Sequence, residues 1–197
     1  MFYKTNNFLR FLKPIALILL TVIYTQGASA QASQKGWVGT WGTARQLVET
    51  NNMPPAPGLT NNTLRQVVAV SIGGSKMRLK LSNEFSKTAT TIKTVQIAVS
   101  KGGSAIDEGT TKTLKFDGKE EITIAPGVEI TSDVIAFKLQ PRMEVAITIA
   151  YGETSQTVTG HPGSRTTSFI LTGNQTAPNT DYSAAVKSRK AVTQAQR

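Results

Sequence analysis

The run Leu64-Arg65-Gln66-Val67-Val68-Ala69-Val70-Ser71-Ile72-Gly73-Gly74, followed by Lys76-Met77-Arg78-Leu79-Lys80-Leu81-Ser82-Asn83-Glu84-Phe85, constrains the fold of this chain more than any other segment. Met77, Leu79 and Leu81 alternate with Lys76, Arg78 and Lys80, which puts apolar side chains on one face of a strand and cations on the other. A helix cannot use that spacing, because its faces repeat every three to four residues. With Gly73-Gly74-Ser75 between the two halves, the spacing predicts a β-hairpin with one buried and one wet face.

The same alternation returns at Ile122 and Ile124 between Glu121, Thr123 and Ala125, and at Val145, Ile147 and Ile149 between Glu144, Ala146 and Thr148. Each predicts an antiparallel strand in a sheet with one solvated face. Further strands are expected over residues 37–46, 65–72, 91–100, 113–116, 129–139 and 166–172, about nine strands in total. Turn chemistry separates them at Gly102-Gly103-Ser104, Asp117-Gly118, Ala125-Pro126-Gly127, Gln140-Pro141 and His161-Pro162-Gly163. Asp-Gly and Gly-Gly tolerate positive φ, and Pro removes a ladder donor. The predicted fold is all-β, an antiparallel β-sandwich of jelly-roll type, with a closed barrel as the alternative. Residues 51–62, with Pro54, Pro55, Pro57 and Gly58, read as a long irregular surface connection.

The N-terminus carries Lys4, Arg10 and Lys13, then an apolar run over residues 15–24, then Ala28-Ser29-Ala30. That order predicts a secretory signal peptide over residues 1–30, with a retained anchor as the alternative. The mature chain then starts near Gln31, outside the cytoplasm, secreted or periplasmic. It is long enough for a single domain with a buried core, expected over residues 31–182. Residues 183–197 form a basic tail with few large apolar residues, expected to be a short helix or disordered.

The formal charge of +10 suggests nucleic acid, but its distribution does not. Between residues 31 and 186 there are 15 Lys and Arg against 12 Asp and Glu, a balance of only +3, and the rest lies in the signal segment and tail. No phosphate-tracking surface is indicated, and no membrane contact is expected once the signal is removed. The chain has no cysteine, which removes thiol catalysis and Cys-based zinc sites.

A Ser-His-Asp hydrolase needs a base within reach of its serine and an acid to orient that base. The one histidine, His161, sits in the turn His161-Pro162-Gly163-Ser164-Arg165, without a Gly-x-Ser-x-Gly elbow around Ser164. A structural loop histidine is expected, and no catalytic residue is assigned. No cofactor is expected. The only metal chemistry left open is an oxygen-ligated calcium at Asp107-Glu108 or Asp117, read as loop residues, for which solvated carboxylates are the simpler account. Trp37, Trp41 and Tyr151 are the candidate ligand contacts: an aromatic platform for a sugar ring, weighed against ordinary core packing. On a strand the two tryptophans, four residues apart, would share a face.

Several ordered blocks resemble the N-terminal β-sandwich region of secreted bacterial SGNH/GDSL-family hydrolases. They are Trp37-Val38-Gly39-Thr40-Trp41-Gly42-Thr43-Ala44, Leu64-Arg65-Gln66-Val67-Val68, Ser71-Ile72-Gly73-Gly74, Leu81-Ser82-Asn83-Glu84-Phe85 and His161-Pro162-Gly163-Ser164-Arg165-Thr166-Thr167-Ser168. Ala125-Pro126-Gly127 followed by Thr131-Ser132-Asp133 fits the same template. The resemblance implies an accessory sandwich whose partner is a catalytic SGNH domain acting on esters, among them ester-bearing extracellular carbohydrate. In that family the nucleophile lies in a Gly-Asp-Ser block and the base in a later Asp-x-x-His block, and neither occurs in this chain. The expectation is therefore a truncated or frameshifted product, catalytically inactive alone. A lectin-like carbohydrate-binding module is the alternative.

Overall fold

The computed structural model describes residues 36–162 and 166–188, and the backbone of residues 195–196. The expected signal segment and Ser164 lie outside the described residues. The chain divides into a unit Met1–Trp37, of which only Gly36 and Trp37 are described, and a unit Val38–Arg197, which carries every strand among the described residues.

The described part of that second unit is all-β and its strand pairings are antiparallel. In chain order the strands are β1 (Gln46–Leu47), β2 (Asn62–Ala69), β3 (Gly74–Met77), β4 (Lys80–Ser82), β5 (Thr90–Gly102), β6 (Ala105–Leu114) and β7 (Ile122–Ile124). They continue with β8 (Glu129–Thr131), β9 (Ile135–Leu139), β10 (Glu144–Tyr151), β11 (Thr159–Gly160), β12 (Ser168–Thr172), β13 (Val186–Ser188) and β14 (Ala195–Gln196). The main sheet runs β13-β12-β2-β10-β5-β6, with β7 also paired to β5. Three short sheets, β3-β9, β14-β4-β8 and β1-β11, complete the set. Among the described residues no helix is long and apolar enough to cross a membrane.

One continuous apolar core joins the main sheet to the short ones. Leu64, Val95, Ile97, Val145, Ile147, Ile149 and Ile170 on the main sheet share it with Leu79, Leu81, Phe137 and Leu139 from the β3-β9 and β4-β8 side. This is a sandwich whose second layer is broken into short pairs, so more strands are present than the nine expected, and several span only two or three residues.

The opening hairpin does not form. β2 pairs with β10 on one side and β12 on the other, so both of its edges are taken by distant strands. After Ser71 the chain leaves the main sheet, and β3 and β4 join β9 and β8 in the short sheets. Gly73 and Gly74 do not have positive φ. Gly73 sits where an added Cβ would lie 2.8 Å from the Leu139 carbonyl oxygen and 3.2 Å from Pro141 Cδ. The glycine permits a close approach to the end of β9, the strand that β3 pairs with, rather than a tight hairpin turn. Positive φ is found at the expected Gly-Gly and Asp-Gly turns, Gly102, Gly103, Asp117 and Gly118, and also at Gly127.

Other boundaries also shift. Residues 37–46 do not make a strand: only Gln46–Leu47 pairs, with β11. The strand expected over 129–139 is split into β8 and β9, because Asp133 turns aside and accepts hydrogen bonds from the Asp117 and Gly118 amides at 3.1 and 2.8 Å. Asp107 and Glu108 lie within β6 rather than in a loop. Val186–Ser188 is a strand on the edge of the main sheet, not a helix or a disordered tail. β10 was expected to have one wet face, yet Ala146, Thr148 and Ala150 are as buried as Val145, Ile147 and Ile149. The outer face of the main sheet is covered at its centre, and that cover creates the most distinctive site in the molecule.

Candidate functional site

Alternation along β2 sends Leu64 and Gln66 inward and Arg65 outward. Register then places Arg65 opposite Thr148 of β10 and Phe169 of β12, forming one row across the outer face. An arginine in the middle of a sheet is expensive to bury unless its donors find partners. Arg65 is only 1% exposed. Its Nε donates to Thr148 Oγ1 at 2.8 Å, and its Nη1 donates to the Ser104 carbonyl at 2.8 Å. Nη2 is buried with no hydrogen-bond partner. Among the described residues no carboxylate forms an ion pair with it. Burial pushes the guanidinium below its ordinary range, against an opposing influence from Tyr182.

The charge is covered by an aromatic face. Tyr182 lies with its ring centroid 3.8 Å from the Arg65 guanidinium carbon, a cation–π contact. Tyr182 belongs to a second, smaller apolar cluster with Phe169, Ala185 and Leu171 on the outer face. Its hydroxyl donates to the Gln175 carbonyl at 3.1 Å. The segment that carries it is pinned at its start, where Gln175 N donates to Thr63 Oγ1 at 2.8 Å and Gly173 N to Asn62 Oδ1 at 3.1 Å. β13 pins its end against β12. On the opposite side, Gly102 and Gly103 give the β5–β6 turn the positive φ angles of 94° and 57°, and that turn delivers the Ser104 carbonyl. Between the turn and the segment lies a cleft of about 410 Å³, whose walls include Gly102, Gly103, Ser104, Phe169, Tyr182 and Lys187.

A second convergence involves the blocks that carry the family resemblance. Thr40 is stitched to residues 71–72: its carbonyl accepts from Ser71 N at 2.7 Å, and its hydroxyl donates to the Ile72 carbonyl at 2.7 Å. Arg45 pairs with Glu84 at 2.9 Å and also with Glu129, which is 3.5 Å from Lys80. Asn83 is fully buried, and its Nδ2 donates to the carbonyls of Thr88 and Ile124, both at 3.0 Å. His161 Nδ1 is 2.8 Å from the Ala44 carbonyl oxygen. A carbonyl can only accept, so the proton sits on Nδ1, and the ring is oriented by backbone rather than by an acid.

No protein-family model matches the chain, and no curated protein matches it.

The three aromatic candidates end in different surroundings. Tyr151 is 1% exposed in the main core and offers no ring to a ligand. Trp41 is partly buried and packs against the same core. Trp37 is 49% exposed. Asp107 lies 3.6 Å from Lys101, and among the described residues no three His, Cys, Asp or Glu side chains gather as a metal would require. The sequence marks Arg65 only as part of the Leu64–Val68 block and gives Tyr182 no role. Their available signal was a lone arginine inside a strand whose other residues are uncharged, followed much later by an aromatic residue in a polar stretch.

Proposed function

We propose that this chain is the accessory β-sandwich of an exported SGNH/GDSL-type ester hydrolase, silent toward esters by itself. The observation that carries the reading is spatial. Blocks far apart in sequence, at 40–45, 71–72, 82–84 and 161, meet through direct hydrogen bonds and an ion pair. The resemblance thus rests on residues that act together in one structural unit. The bond from His161 to a backbone carbonyl suits a positioning role in the fold better than general-base work. Export rests on the basic, apolar and Ala-x-Ala order of the first thirty residues.

The direct test is hydrolysis of p-nitrophenyl acetate by the purified chain. The expected rate equals the buffer blank and is identical in Ser164→Ala. Turnover that disappears in Ser164→Ala would overturn the proposal. The half-exposed Trp37 favours carbohydrate binding as the second reading. Retardation in polysaccharide-containing native gels, lost in Trp37→Ala, would decide for it.

A further inference from the structure

We propose that the cleft beside Arg65 is an oxyanion-binding site, taking a carboxylate or phosphate group, with Tyr182 as the cover that the ligand displaces. This is independent of the hydrolase reading.

Arg65 has the fork geometry that carboxylate and phosphate oxygens match in pairs, and its Nη2 donors are unsatisfied. The two groups that hold it on the cleft side, the Ser104 carbonyl and the Tyr182 ring, are themselves cleft walls. The Tyr182 ring, a wall of the cleft, lies 3.8 Å from the guanidinium carbon, so moving the ring aside uncovers the guanidinium on that side. The exchange trades a cation–π contact for charge-assisted hydrogen bonds to the guanidinium. Lys187 on the wall adds a second cation. The nearest opposing charge along the segment is Asp181, whose carboxylate already accepts from Ser183 N at 2.8 Å and Ser183 Oγ at 2.7 Å. The cleft volume suits a small molecule bearing one such group rather than a polymer chain.

The test is calorimetric titration of the full chain with sodium phosphate and, separately, sodium acetate, at constant ionic strength set with chloride. Saturable binding of at least one probe is expected, weakened about tenfold or more in Arg65→Gln. Tyr182→Ala should tighten it several-fold, because no ring has to move. Binding of phosphate alone assigns a phosphorylated ligand, and of acetate alone a carboxylate. Absence of saturable binding with both salts overturns the proposal, as does unchanged affinity in Arg65→Gln. If circular dichroism shows that Arg65→Gln is unfolded, Lys187→Ala and Tyr182→Ala take its place, and unchanged affinity in both overturns it.

Discussion

Tyr151 and Tyr182 are both buried, and burial raises both phenols above their ordinary value of 10.0; at Tyr182 the Arg65 charge partly opposes this. A phenol that stays protonated in the fold while the unfolded chain releases its proton contributes stability that is complete below pH 10. That contribution is lost as pH rises further, by up to about 1.4 kcal/mol per pH unit for each such group. Urea midpoints should therefore be flat near neutral pH and fall steeply above pH 10, and Tyr151→Phe should make the fall shallower. At neutral pH the same substitution should cost little or nothing, because the Tyr151 hydroxyl has no partner to lose. Asn83 behaves oppositely. Its amide serves the buried Ile124 carbonyl and the half-buried Thr88 carbonyl and accepts from Thr90 Oγ1 at 3.1 Å, so Asn83→Ala should lower the unfolding free energy by about 3 kcal/mol, read from urea denaturation. The alternation marked Leu79 and Leu81 as core, whereas nothing in the pattern distinguished Asn83 from a turn asparagine. Side-chain to backbone bonding depends on where distant carbonyls arrive.

At the scale of elements, strands with one polar face were readable because period two survives in the sequence; β4 and β7 are examples. Strand partners were not. The apolar run of β2 and the Gly-Gly that follows suggested a local hairpin, but both β2 edges are occupied by strands arriving much later. β6 was mostly missed because Asp107, Glu108 and Gly109 carry little β signal. An edge strand can be polar, since water can take its outer groups and charge discourages pairing with other chains. The burial of both faces of β10 was unreadable for a related reason, as Ala146 and Ala150 look neutral until a covering segment is known. Gly73 gives a direct test of the close approach. Gly73→Ala should cost about 1–3 kcal/mol in a thermal or urea unfolding assay, because the added carbon meets a carbonyl oxygen that cannot swing away. By contrast, Gly103→Ala faces open space and should cost only the smaller strain of a positive φ, about 1 kcal/mol.

For the molecule as a whole, most contacts of the main sheet join residues distant in the chain. Ile147 opposes Gln66, and Ser168 opposes Gln66 from the other side. Topologies dominated by such pairings fold slowly, so stopped-flow refolding should be complete in milliseconds to seconds rather than microseconds. A burst that recovers full amplitude on the microsecond scale would contradict the topology. The placement of β2 also orders events during synthesis. Its first neighbour, β10, begins at Glu144 and its second, β12, at Ser168, so a ribosome must deliver most of the polypeptide before the central strand can pair on either side. Until then β2 lacks both of its ladder partners, while the β5–β6 and β5–β7 pairs, whose strands all precede β10, are already complete in the chain.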